Sequence, residues 1–178
     1  MIRDYLPDSA KAILDVGCGL AGIDVLLYQH YKSRGINLHL LDKEGISEKV
    51  YYGFNPEAAH YNSLLLAREF LKLNGVFIDR VSTYGIETEG FPSQCKFDVV
   101  ISLYSWGYHY PVSTYLESVR TSLASDGIII LDVREGTDGK DQLAKHFTVC
   151  QDICIGSEDN RRILATNNKR FQKGVNIQ

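Results

Sequence analysis

No apolar run in this 178-residue chain approaches the ~20 residues that a membrane-spanning helix requires. The N-terminal stretch "MIRDYLPDSAK" puts acids and a proline where a signal peptide carries an unbroken apolar core. The expectation is a cytoplasmic protein with no membrane partner. Positive charge is not in excess either: 19 Lys and Arg stand against 22 Asp and Glu, a net charge of -3. With a pI near 5.9, no broad face is set to grip a phosphate backbone, so no nucleic-acid partner is expected. The small basic cluster of Arg161, Arg162, Lys169, Arg170 and Lys173 reads as a solvated edge. Four cysteines, Cys18, Cys95, Cys150 and Cys154, lack Cys-x-x-Cys spacing and nearby histidines, which leaves free thiols and no metal site. Cys150 and Cys154 should share one face of a strand. Repeats, low-complexity tracts and linkers are also missing, and the length suits one domain spanning 1–178.

What is present alternates between two periods. "AILDVG" (12–17) is a short apolar run ending in glycine, as a buried parallel strand should be. "GIDVLLYQHYKSRG" follows with helical spacing, and Gly35 is placed to cap it. "INLHLLD" (36–42) reads as a second strand. Asn55-Pro56-Glu57 supplies an N-cap, a proline at the first helical position and an acid, so a helix is expected from Glu57 to Gly75. "VFIDRVSTYG" is a third strand, "FDVVISL" a fourth and "VSTYLESVRTSL" a helix. Asp126-Gly127 then turns into the strand "IIILDV", and "TDGKDQLAKHF" is a short helix. Two β-rich runs finally flank Gly-Ser-Glu-Asp-Asn, a hairpin signal. The fold class is α/β: a Rossmann-like, doubly wound, mostly parallel sheet with an antiparallel C-terminal hairpin strand.

Glycines between a strand and a helix let a ligand approach the backbone, and the helix N-terminus favours an anionic group. Gly17-x-Gly19-x-x-Gly22 alone fits a dinucleotide as well as anything else. Asp15 discriminates, because a carboxylate at the strand end repels a pyrophosphate and attracts an ammonium group. "LDVGCGLAG" resembles the first motif of class I S-adenosylmethionine-dependent methyltransferases, and the order of elements is similar to that family's seven-strand sheet. The resemblance implies S-adenosylmethionine as cofactor, S-adenosylhomocysteine as product and no metal. It places Asp15, Gly17, Cys18 and Gly19 around the methionine end. Asp42, with the adjoining Lys43, falls at the ribose. Ala21 departs from the glycine common in the family, a mild change if Gly22 serves instead. For the adenine amine, Ser82 and Thr83 are preferred over Asp79, which lies early in its strand. Ser102 and Leu103 complete the cofactor set, and Tyr51, Tyr52 and Phe54 are able either to stack on adenine or to pack under the next helix.

Ligands of open α/β sheets bind beyond the carboxyl ends of the strands, so the loop "SLYSWGYHYP" (102–111) should floor the acceptor site. It holds five rings: Tyr104, Trp106, Tyr108, His109 and Tyr110. His109 suits a general base for a hydroxyl acceptor, with Tyr104 or Tyr108 orienting that acceptor. Trp106, Tyr110 and Asp132 are candidate substrate contacts. His30, His39, His60 and His146 read as ordinary. The loop lacks the Asp/Asn-Pro-Pro-aromatic run of nucleobase amine methyltransferases, the acid cluster of metal-dependent catechol-type ones, and the acid that aminopropyl transferases keep there. With eleven residues before the first strand, any lid is expected to come from 44–55, 104–111 or 134–142. The resulting expectation is a compact, lidless O-methyltransferase for a small-molecule acceptor, with its oligomeric state open. Three other readings are a small-amine N-methyltransferase, a nicotinamide-dependent oxidoreductase and a catalytically silent S-adenosylmethionine-binding partner subunit.

Overall fold

A computed structural model describes residues 2–32, 35–46, 61–155 and 159–172. Seven strands form one sheet: β1 (Ala12–Val16), β2 (Asn37–Asp42), β3 (Val81–Gly85), β4 (Phe97–Ser102), β5 (Leu123–Arg134), β6 (Val149–Ile155) and β7 (Asn160–Thr166). Their spatial order is β3-β2-β1-β4-β5-β7-β6. The first five pair in parallel, and β7 runs antiparallel to both β5 and β6. Among the described residues four α-helices connect them: α1 (Gly22–Tyr31), α2 (Leu64–Leu73), α3 (Leu116–Ser122) and α4 (Gly139–Ala144). Among the described residues no helix is long and apolar enough to cross a membrane.

The central strands carry near-continuous apolar runs because both faces are covered. Ile13, Leu38, Leu40, Val99, Ile101, Ile128 and Ile130 pack with Leu27, Tyr28 and Tyr31 of α1 and Ala67 and Leu71 of α2. The alternate residues Leu14, Leu41, Val100, Ile129 and Leu131 pack with Leu116 and Val119 of α3 and Leu143 of α4. Period-2 alternation thus assigns each strand's residues to two separate cores. Strand order reverses at β1, which pairs with β2 on one side and β4 on the other, opening the crevice that receives ligands in such sheets.

Three expectations are revised. The helix expected from Glu57 begins at Leu64, because Tyr61–Asn62 pairs antiparallel with Gly45–Ile46 and extended Ser63 caps α2, accepting from the Leu66 N–H at 3.4 Å. The cap signal at Asn55-Pro56-Glu57 and the rings Tyr51, Tyr52 and Phe54 lie outside the described residues. Asp126-Gly127 does not separate helix from strand: β5 already starts at Leu123, opposite Phe97, and its register breaks before Ile128. Cys150 and Cys154 do not share a face. Cys150 pairs with Ala165 but Cys154 with Arg162, since a bulge after Asp152 inserts one residue and flips the side chains beyond it. None of the four cysteines is in a disulfide.

Candidate cofactor and acceptor site

The glycine loop leaves β1 through two left-handed glycines, Gly17 at φ +75° and Gly19 at φ +53°. Its start is anchored by the Gly17 N–H donating to the Leu41 carbonyl at 2.7 Å. A Cβ on Gly17 would stand 1.9 Å from Ser105 Oγ, so the loop after β4 closes directly on the glycine loop and only glycine fits. The third turn position is Ala21 itself, buried at φ +60°, while Gly22 is an ordinary helical residue with open space around its Cβ position. Gly22 therefore does not substitute for the missing glycine; the alanine takes up the left-handed conformation. Asp42, ending β2, accepts from the Gly19 N–H at 2.8 Å and the Lys43 N–H at 2.7 Å. It shapes the loop from the neighbouring strand.

Beyond these strand ends lies a cavity of about 190 Å³. Gly17, Asp42 and Lys43 form one wall, Ile86 and Glu87 a second, and Ser105, Tyr110 and Tyr115 a third. Lys43 Nζ reaches Glu87 Oε1 at 3.0 Å along the rim. Tyr110, expected at the acceptor, shares this cavity with Asp42 and Lys43. Burial raises the pKa of its phenol, as it does that of Tyr115. Ser82 and Thr83 sit inside β3, opposite His39 and Leu40, and do not line the cavity. Ile86 and Glu87 do, because β3 runs on to Gly85 before it releases the chain. The sequence already ended the strand at that glycine; looking to the residues after it rather than to Ser82 and Thr83 would have found them.

Asp15 is almost wholly buried, and its Oδ1 makes no hydrogen bond. Its partner is a residue the sequence reading passed over: Asp24, third in α1 and fully buried. Burial first, then the charge of Asp24, raises the Asp15 pKa well above the ordinary carboxylate range. Burial likewise lifts Asp24, to about 7. An acid in the first turn of the helix that follows the glycine loop was the available signal.

The loop after β4 divides the remaining candidates. Ser102 Oγ donates to the Val16 carbonyl at 2.6 Å and accepts from the Trp106 N–H at 2.9 Å, tying β4 to the end of β1. Trp106 is completely buried, with its indole N–H donating to the Val112 carbonyl at 2.8 Å. Leu103 packs against the core on the α1 side. Asp132 is fully buried and clamped by Arg162 through bonds of 2.7 and 2.8 Å. Ser102, Trp106 and Asp132 are thereby committed to the scaffold, since their polar groups are engaged inside the protein. Tyr104 stands differently: it is 45% exposed, at φ +59°, with its ring 5.1 Å from that of Tyr108. A non-glycine residue in that conformation carries strain, which concentrates at functional loops. The Tyr108 hydroxyl donates to Asp159, and the Arg134 guanidinium lies 5.0 Å from its ring. His109 is partly buried and its Nδ1 has no partner; burial, then Arg134, lowers its pKa below the usual imidazole value. Among the described residues no group of three His, Cys, Asp or Glu side chains gathers as metal ligands would.

No protein-family model matches the chain, and no curated protein matches it in sequence. Solved structures do match in fold. Precorrin-6y C5,15-methyltransferase from Geobacter metallireducens superposes with a TM-score of 0.63 at 18% identity, covering 92% of this chain and 83% of that one. The 16S rRNA N2 guanine methyltransferase of T. thermophilus, solved with AdoMet and guanosine, gives 0.61 at 11% identity over 93% of this chain and 39% of its own. Mitomycin 7-O-methyltransferase gives 0.56 at 13% identity over 88% and 49%. The chain thus spans less than half the length of two of these three. The sheet order, the antiparallel β7 hairpin and these superpositions together show that the chain has the Rossmann-like fold of the class I S-adenosylmethionine-dependent methyltransferases.

Proposed function

We propose that this chain binds S-adenosylmethionine beside its glycine loop and transfers the methyl group to a hydroxyl of a small acceptor. One observation carries the cofactor half of this reading. The left-handed glycine loop, the Asp42 carboxylate and the cavity toward Ile86 and Glu87 converge at the carboxyl ends of β1 to β3. These groups fit the cofactor's parts: Asp15 Oδ1 is a buried acceptor awaiting a donor, and the Asp42 carboxylate lines the cavity at the end of β2, where a ribose would sit. The space lined by Lys43, Ile86 and Tyr110 would take the adenine ring. When bound, the cofactor supplies an electrophilic methyl group on a sulfonium.

The chain's own residues then have to hold the acceptor in line and take its proton. His109 fits the proton's destination because its lowered pKa keeps the ring neutral near pH 7 and its Nδ1 is unspent. Tyr104, exposed on the same loop, is the ring free to cover the acceptor. Tyr108 is better read as a support, its hydroxyl being given to Asp159 and its face to Arg134.

Calorimetric titration with S-adenosylhomocysteine, with NAD as a parallel control, tests the cofactor; binding of NAD alone would reassign the loop to a dinucleotide. For the acceptor, small hydroxylated and amine compounds are compared in a methyl-transfer assay. With a hydroxyl acceptor, kcat/KM should be level at neutral pH and fall in acid below pH 6.5, as His109 takes up a proton. His109→Gln should lose roughly 10²- to 10⁴-fold in rate. A variant retaining full activity on an amine points to N-methylation instead.

A further inference from the structure

Two carboxyl groups stand behind the glycine loop without a counter-charge. Asp15 comes from the end of β1 and Asp24 from the first turn of α1, exposed by 2% and 0%. Asp15 Oδ1 and both Asp24 oxygens are buried and without a hydrogen bond to a protein donor. The two groups are near enough to bond to each other. Ionised carboxylates only accept, so that bond exists only if one of them carries a proton. The surroundings favour this. Asp42 on β2 adds a further negative charge, the Asp24 backbone N–H is the other group acting on the pair, and no cation acts on either carboxyl among the described residues.

The anion side of the same corner is also prepared. Ala21 has no side-chain oxygen to cap α1, so no N-cap side chain meets the N–H groups that open this helix beside the glycine loop. Uncapped donors next to an unsatisfied acidic pair match an ammonium and a carboxylate carried on one carbon, the headgroup of an α-amino acid. We propose that Asp15 and Asp24 form a two-carboxyl receptor for the α-ammonium of the cofactor, sharing one proton in the free protein and releasing it to solvent when the ammonium arrives. This rests on the cofactor reading above and adds Asp24 to it as a positioning residue, whose proton sets the charge that Asp15 presents.

The proton competes with the ligand, so affinity for S-adenosylhomocysteine should weaken as pH falls from 7 toward 5.5, by no more than tenfold per pH unit for one displaced proton. Calorimetry at pH 6.5 in two buffers of different ionisation enthalpy counts the proton. The apparent binding enthalpies should differ in the sense of release, by up to one proton per ligand. Asp24→Asn supplies an amide donor to an ionised Asp15 and should bind with no proton release and a Kd independent of pH over that range. Infrared spectra give a readout free of activity: a protonated-carboxyl band in the free protein should vanish on adding S-adenosylhomocysteine and be absent from Asp24→Asn. Tight binding with equal enthalpies in both buffers and an unchanged band overturns the receptor. Failure of thermally intact protein to bind S-adenosylhomocysteine at all overturns the cofactor assignment, and the receptor with it.

Discussion

Gly17 shows how narrowly a single residue is constrained when backbone conformation and close approach coincide. An alanine there meets a left-handed φ, at about 1–2 kcal/mol. It also overlaps Ser105, whose Oγ and Cβ would stand 1.9 and 2.2 Å from the new carbon. Overpacking of that kind adds about 1–3 kcal/mol. Gly17→Ala should therefore lose about 2–5 kcal/mol in urea unfolding and most of its affinity for S-adenosylhomocysteine. Asp42 is constrained by charge instead. Asp42→Ala removes the acceptor for the Gly19 and Lys43 N–H groups along with the ribose partner. Its affinity for S-adenosylhomocysteine should fall by about 1.5–3 kcal/mol in calorimetry. Wild-type binding by both variants would sever the glycine loop from the cofactor.

At the scale of elements, the join between the parallel sheet and its hairpin is a buried ion pair. Asp132 on β5 lies directly opposite Arg162 on β7, with both guanidinium bonds made. The arginine was readable only as one of a basic cluster and the aspartate only as a candidate substrate contact, because the antiparallel register that brings them together is a long-range fact. Removing one partner of such a pair leaves the other buried and uncompensated, typically at 3–5 kcal/mol. Arg162 retains some exposure, with 25% of its side chain open to solvent, so the low end applies. Arg162→Ala should cost about 3 kcal/mol in urea unfolding, yet leave S-adenosylhomocysteine binding within a few-fold of wild type. A large loss of binding with little loss of stability would return Asp132 to the site.

For the whole molecule, the acidic pair links folding to pH. Asp24 titrates near the ordinary carboxylate value when unfolded and is raised to about 7 when folded. Between these values the folded chain holds a proton that the unfolded chain has released, so stability falls as pH rises. The slope is at most about 1.4 kcal/mol per pH unit for one proton, and it levels above about pH 7. Surface acids such as Glu89 and Glu117, whose pKa values are lowered by hydrogen bonds to Thr88 and to Arg120, act in the opposite sense. The comparison must therefore be made against Asp24→Asn. Urea midpoints from pH 4.5 to 7.5 should show the variant gaining on wild type as pH rises; parallel curves would mean that the pair carries no shared proton.

The linear chain determined the order of elements, because strands buried on both faces must be apolar runs and glycines must stand where the backbone turns left-handed. It also determined that Asp15, Gly17, Gly19 and Asp42 would meet at one end of a parallel sheet, since each lies at a strand's carboxyl end or in the turn that follows. Tertiary structure decided which of the remaining polar and aromatic residues were free to act. Ser102, Trp106 and Asp132 carry functional chemistry in the sequence but spend their polar groups on Val16, Val112 and Arg162. Asp24, silent in the sequence, is buried beside Asp15 with no protein donor for either of its oxygens. A side chain's chemistry is written in its residue type, but whether that chemistry is available depends on partners brought in from distant parts of the chain, and only folding supplies them.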